Sequence, residues 1–204
     1  MKIALQQLVF VAAVALLSLA PSALADSTVI VDGSYAFANN GYGIPPYGGT
    51  LNGQAASFYC VDFAHDIVGG DTWSAIVTPV TPAGNYGSTY QQNGTEYLEF
   101  AWLLTQMTDT TNQTQQAAYQ WAIWSLTGGV DPFAGSDSAS NLLGEAYWAV
   151  THGYNGQGWE ILTPGPLQYG QEFMVQTPEP SSLLLLALGL CGLLFLKRRE
   201  QLSS

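Results

Sequence analysis

The sequence predicts an α+β fold: one compact domain with a β-sheet or partial barrel and a helical subdomain of about three helices. A signal peptide and a C-terminal hydrophobic sorting helix flank it. Three observations lead there. Strand-like patterning fills residues 27–78 and returns near residue 160, the apolar period becomes helical between residues 96 and 151, and two apolar runs lie outside this span, at residues 8–20 and 183–196. Strands, then helices, then strands is the order of an α+β domain rather than of alternating βα units. With both ends set aside, residues 26–177 have the length of one ordinary domain of about 100–150 residues and can bury a core.

Residues 27–37 predict a first strand centred on Val29, Ile30 and Val31, and the Gly, Pro and Tyr of residues 39–50 predict a loop. Residues 57–64 predict a second strand, with Tyr59, Val61 and Phe63 on one face and Phe58, Cys60 and Asp62 on the other. A third strand is expected at residues 72–78, before a loop at 79–94. Residues 96–107 place Leu98, Ala101, Trp102 and Leu104 at helical spacing. Residues 112–126 predict a second helix, entered through a Thr/Asn-rich turn that can cap it. The third helix, residues 138–151, has Asp137 or Ser138 for its cap and turns Leu142, Leu143, Ala146 and Ala149 or Val150 inward. Short strands at 160–162 and 168–176, around Pro164-Gly165-Pro166, complete the domain.

Charge narrows the function classes. The four basic residues are Lys2, Lys197, Arg198 and Arg199, so residues 26–177 hold no Lys or Arg, while only Glu179 and Glu200 of the fifteen acidic residues lie outside that span. Without a cation to meet phosphate, nucleic acid and anionic lipid are excluded as direct partners. Richness in Trp, Tyr and Phe argues for a folded rather than a disordered acidic chain. An acidic surface suits solubility outside the cell, and a lysine-free domain also spares any electrophile it carries from its own amines. Cys191 lies in the second apolar run, which leaves Cys60 without a disulfide partner in the domain: an intermolecular bridge, a reactive thiol or another covalent fate stay open.

The two ends read as addresses. Lys2, an apolar stretch and the Ala-x-Ala arrangement at Ala23-Leu24-Ala25 predict a signal peptide over residues 1–25, cleaved after Ala25. At the other end, Pro178-Glu179-Pro180 precedes a hydrophobic segment at about residues 181–196 and the basic tail Lys197, Arg198, Arg199. That segment is short against the roughly 20 apolar residues of a spanning helix, but the basic tail would hold it with its end in the cytoplasm. This three-part order over residues 178–204 resembles the PEP-CTERM sorting signal of Gram-negative bacteria. The resemblance implies exosortase as a partner at the inner membrane, a tether through the C-terminal helix before processing near the Pro-Glu-Pro motif, and then release to the cell surface or extracellular matrix.

The second helix is apolar nearly all round, from Ala117 to Trp124, which marks it as buried. Gln120 sits inside it, where an unpaired amide costs on the order of 1–3 kcal/mol, so a partner is required, from composition alone a backbone group or a buried water. Tyr59-Cys60-Val61-Asp62 on a strand and Tyr119-Gln120-Trp121-Ala122-Ile123-Trp124 on a helix resemble the two signature motifs of bacterial thioester domains. The resemblance implies Cys60 as the thiol and Gln120 as the acyl side of an internal thioester, with Asp62 and Trp124 in support, able to bond to amines on a target surface. Asp62 and His65 are near enough in sequence to assist proton transfer, and alternation puts Asp62 on the face of Cys60.

Three functions follow. One is a surface adhesion or binding module, acting by binding rather than turnover, with the thioester or without it. A second is a structural or glycan-binding protein of an extracellular polysaccharide matrix, using Tyr and Trp of the Gly-rich stretches 39–47 and 153–159. A third, a cysteine hydrolase built from Cys60 with His65 or His152, lacks an orienting group in register. No metal, nucleotide or haem pattern is present in the sequence and no cofactor is expected. Asn93-Gly94-Thr95 and Asn112-Gln113-Thr114 fit the glycosylation sequon by accident, and Asp131, Asp137 and Glu145 read as solvated surface.

Overall fold

The computed structural model describes residues 27–165 and 170–177. They form β1 (Ser27–Val31), β2 (Phe37–Asn39), β3 (Tyr42–Ile44), β4 (Tyr47–Leu51), β5 (Gln54–Cys60), β6 (Thr72–Pro79), α1 (Gly94–Asp109), α2 (Gln113–Leu126), α3 (Ala139–Thr151), β7 (Trp159–Pro164) and β8 (Phe173–Gln176). Six strands close an antiparallel barrel in the order β1-β4-β5-β8-β7-β6, and β2 with β3 makes a separate two-stranded ribbon. β1 is the seam, since Ile30 pairs with Thr50 of β4 on one side and Thr72 of β6 on the other. Closure leaves the barrel no unpaired sheet edge.

Several predicted boundaries shift, for local reasons. The first strand stops at Val31 because the Asp32 carboxylate accepts the Ser34 amide at 2.8 Å and Gly33 takes a positive φ of 83°. The stretch 39–50, predicted as a loop, carries most of β3 and β4. Its glycines hide the strand signal but are required there: a Cβ on Gly49 would lie 2.0 Å from the Ile30 carbonyl oxygen, so β4 can close against β1 only without one. The second predicted strand ends at Cys60, not at 64, because the Asp62 carboxylate turns back to the Ala64 amide at 2.9 Å. Of the last two strands, β7 is longer than predicted and β8 starts later, while residues 166–169 lie outside the described residues.

The helices lie within two residues of their predicted bounds, and their caps explain why. Asn93 accepts the Thr95 amide at 3.1 Å and Asn112 accepts the Thr114 amide at 3.0 Å. Both sequon-like triplets are therefore helix starts. The α3 cap is a correction: Ser138 holds the cap position but makes no side-chain cap bond, and the carboxylate of Asp131 instead takes the Ala139 amide at 2.6 Å. Asp131 is thus structural rather than solvated surface.

Alternation divides the buried residues into two clusters. Val29, Val31, Phe58, Cys60, Trp73, Leu162 and Phe173 fill the barrel side, while Tyr59, Ile161 and Met174 face the helices with Phe100, Leu103 and Leu104 of α1. Helix α2 belongs to both: Ala117, Trp121 and Trp124 join the barrel cluster, and Ala118, Ala122 and Ile123 the helical one. Each fully buried large side chain contributes on the order of 1.5–3 kcal/mol, so a helix apolar on both sides is held strongly.

One carboxylate lies fully buried between sheet and helices. Glu172 accepts hydrogen bonds from Thr163 Oγ1 at 2.6 Å, from the Tyr90 amide at 3.0 Å and from the Tyr97 hydroxyl. Burial holds its carboxyl above the usual 4.5, against the opposing effect of these bonds. The folded state therefore binds this proton more tightly than the unfolded chain. Its contribution to stability is full below the unfolded value of 4.5 and is lost as pH rises through the folded one. Glu172→Gln is expected to gain stability over the wild type progressively as pH rises above the unfolded value of 4.5 in urea unfolding. A difference that stays constant with pH would contradict this.

Candidate functional site

The end of β5 and the middle of α2 meet at Cys60. Gln120 Nε2 donates to the Cys60 carbonyl oxygen at 2.8 Å, and Trp124 Nε1 donates to Cys60 Sγ at 3.1 Å. The thiol in turn donates to the Asp62 carbonyl oxygen at 3.1 Å. At the end of α2, Thr127 Oγ1 accepts the Phe63 amide at 3.0 Å, which fixes the segment after β5 to the same helix. Residues sixty positions apart are thus held together by polar contacts on both sides of the thiol. Cys60 and Gln120 are both fully buried.

The amide is only half satisfied. Gln120 Oε1 is buried with no hydrogen-bond partner among the described residues, at a cost on the order of 1–3 kcal/mol. An aromatic layer covers the Trp pair: Tyr42 of the β2–β3 ribbon packs 5.4 Å from Trp121 and 6.0 Å from Trp124, with Phe63 also against both indoles. Asn39 Oδ1, also on the ribbon, accepts Trp121 Nε1 at 3.0 Å. The stretch predicted as a loop is therefore the cover of the site.

Burial pushes the Cys60 thiol up to about 12; its hydrogen bonds with the Asp62 main chain and with Trp124 act the other way, and the charges of Asp62 and Glu172 add to the rise. At neutral pH Cys60 is a protonated thiol, unlike an activated nucleophile. Asp62 does not sit on the Cys60 face as alternation predicted, because the strand has ended. It meets the thiol through its main chain, and its buried carboxylate lies 2.6 Å from His65 Nδ1. The His65 side chain is 43% exposed and packs against Tyr90, so this pair runs from the buried residues next to Cys60 towards solvent.

Gln171 Nε2 donates to the carbonyls of Asp62 at 2.7 Å and His65 at 2.8 Å, pinning this segment to the approach to β8. Sequence reasoning missed Gln171, Glu172 and Thr127, since each acts through a partner remote in the chain. His152, the other histidine weighed for a hydrolase, contacts Trp148 and Thr151 rather than Cys60. Among the described residues no group of three or more His, Cys, Asp and Glu could hold a metal ion.

Residues 176–199 match the PEP-CTERM protein-sorting motif. The match takes in Pro178, Glu179 and Pro180 and the tail Lys197, Arg198 and Arg199, which, like Ala25, lie outside the described residues. The motif implies exosortase as processing partner, export with processing at a membrane, and a cell-surface or extracellular fate. No curated protein and no solved structure matches the chain. Among the described residues no helix is long and apolar enough to cross a membrane; the sorting helix predicted at about 181–196 lies outside them.

The buried thiol makes a direct prediction. In Gln120→Met, which keeps the volume and removes the amide, Cys60 should resist iodoacetamide in the folded protein at about pH 8 and react fully on unfolding. Rapid alkylation of the folded variant would contradict the buried, protonated thiol.

Proposed function

We propose that the domain stores an internal thioester between Cys60 and Gln120 and uses it to attach the exported protein covalently to an amine outside the cell. One observation carries this reading: the Gln120 amide is held, fully buried, on the residue that bears the thiol, with its carbonyl oxygen unpartnered. A glutamine serving only as a helix-to-sheet tie would be expected to satisfy both ends. The resemblance of the Tyr59–Asp62 and Tyr119–Trp124 segments to thioester-domain motifs points the same way.

The chemistry balances with the chain's own groups. Cys60 sulfur attacks the Gln120 amide carbon, the S–C bond forms as the C–N bond breaks, and the thiol proton leaves with the nitrogen as ammonia. Trp124 Nε1 orients the sulfur, and the Asp62 carbonyl holds its proton beforehand. The environment that raises the thiol also makes thiolate a poor leaving group, so the acyl group persists until an attacking amine passes one of its own protons to the departing sulfur. Attack by a primary amine leaves an amide at Gln120 and returns the Cys60 thiol. The reaction runs once per molecule, so this is attachment rather than enzymatic turnover.

Intact mass of the exported protein, beside Cys60→Ala and a methylamine-treated sample, tests this. The expected result is a deficit of about 17 Da, one ammonia, absent from the variant and replaced by an amine adduct on treatment. A full mass with one titratable thiol would overturn the thioester. Sorting is tested separately: changing Pro178, Glu179 and Pro180 to Ala should retain a C-terminal tag that the wild type loses. Equal loss of the tag would exclude the motif as the processing signal.

A further inference from the structure

A second site lies on the outer face of α3. A cleft of about 600 Å³ is lined by Trp102 of α1, Ser136 before α3, and Asn141, Gly144, Glu145 and Trp148 of α3. Asn141, Glu145 and Trp148 recur at helical spacing on one face, beside the stripe of Leu142 and Ala146 that turns into the core. The Trp148 side is built, not merely left over. The residue is 62% exposed, yet His152 stacks on its indole at 4.1 Å and 18°, and His152 Nδ1 lies 2.8 Å from the Trp148 carbonyl oxygen. One ring face is thereby fixed from behind. Gly144 adds a second oddity, because glycine inside a helix costs about 0.5–1 kcal/mol against alanine. No close packing requires it: a Cβ there would meet nothing within 4 Å.

We infer that this cleft binds an amino-sugar polysaccharide, one with free amines on its pyranose rings. The C–H face of a pyranose matches an indole in size and apolarity, and the Trp148 ring presents such a platform beside Trp102. Ser136 and Asn141 supply hydroxyl and amide groups at the rim for sugar hydroxyls. The charge selects the sugar. Glu145 brings a carboxylate to the cleft, Trp148 favours a cation over its face, and residues 26–177 hold no Lys or Arg to receive a uronate or a phosphate. This site shares no residue with Cys60 and Gln120 and stands whether or not a thioester forms.

Calorimetry on the full chain in detergent, carrying Cys60→Ala so that no acyl transfer intervenes, tests it with three probes of equal length. These are a β-1,4-linked glucosamine oligomer, its N-acetylated counterpart and an oligouronate. The glucosamine oligomer should bind, with affinity reduced at least about tenfold by Trp148→Ala and by Gly144→Leu, which fills the cleft floor without touching the core. Glu145→Gln should abolish the preference for the free amine over the acetylated oligomer. Circular dichroism should be unchanged in all three variants. The inference is overturned by absent glucosamine binding, by binding that survives both Trp148→Ala and Gly144→Leu, or by equal or tighter binding of either other probe.

Discussion

The docking of α2 on the end of β5 is the constraint on which the rest of the domain depends. That helix is apolar on two sides, so it fills the barrel cluster with Trp121 and Trp124 and the helical cluster with Ala122 and Ile123. Apolar burial alone would allow it to slide. The bonds from Gln120 to the Cys60 carbonyl, from Trp124 to the thiol and from Phe63 to Thr127 set its register against the strand. In a dry interface such bonds are strongly directional, because any shift leaves polar groups unpaired. The geometry that locks the fold is therefore also the geometry that sets the Gln120 carboxamide on the main chain of Cys60.

A domain without lysine or arginine must bury its carboxylates without ion pairs from those side chains. Glu172 is held by two hydroxyls and a backbone amide, and Asp62 by the Ala64 amide and His65. Hydroxyls, backbone amides and an imidazole take the place of Lys and Arg. Burial nonetheless leaves Glu172 raised in pKa, against the opposing effect of its hydrogen bonds. The acidic composition, legible as a bare count, becomes a consistent rule for how this interior is built.

The helices and the barrel differ in how far they could be read from the chain. Caps at Asn93 and Asn112 act within two residues, so the helix starts are written locally. β4 depends instead on Ile30, about twenty residues away, whose carbonyl excludes a Cβ at Gly49; the sequence there shows only glycine, which ordinarily marks a turn. Barrel closure and the Asp131 cap are of this second kind. Each is decided by a partner that no local pattern names.

For the site the division is similar. Sequence alone determined that Gln120 lies on a buried helix and needs a partner, that Cys60 lies on a strand without a disulfide partner in its domain, and that an export address follows the domain. Those are consequences of periodicity, composition and short motifs, which act over a few residues. Only the tertiary structure decided that the partner of Gln120 is Cys60 itself, that Asp62 turns its carboxylate to His65 rather than to the thiol, and that Trp148 stands exposed on a fixed platform. These follow from where β5 ends and how three helices pack on a closed barrel, and such long-range placements are set by the sum of many contacts rather than by any one stretch of chain.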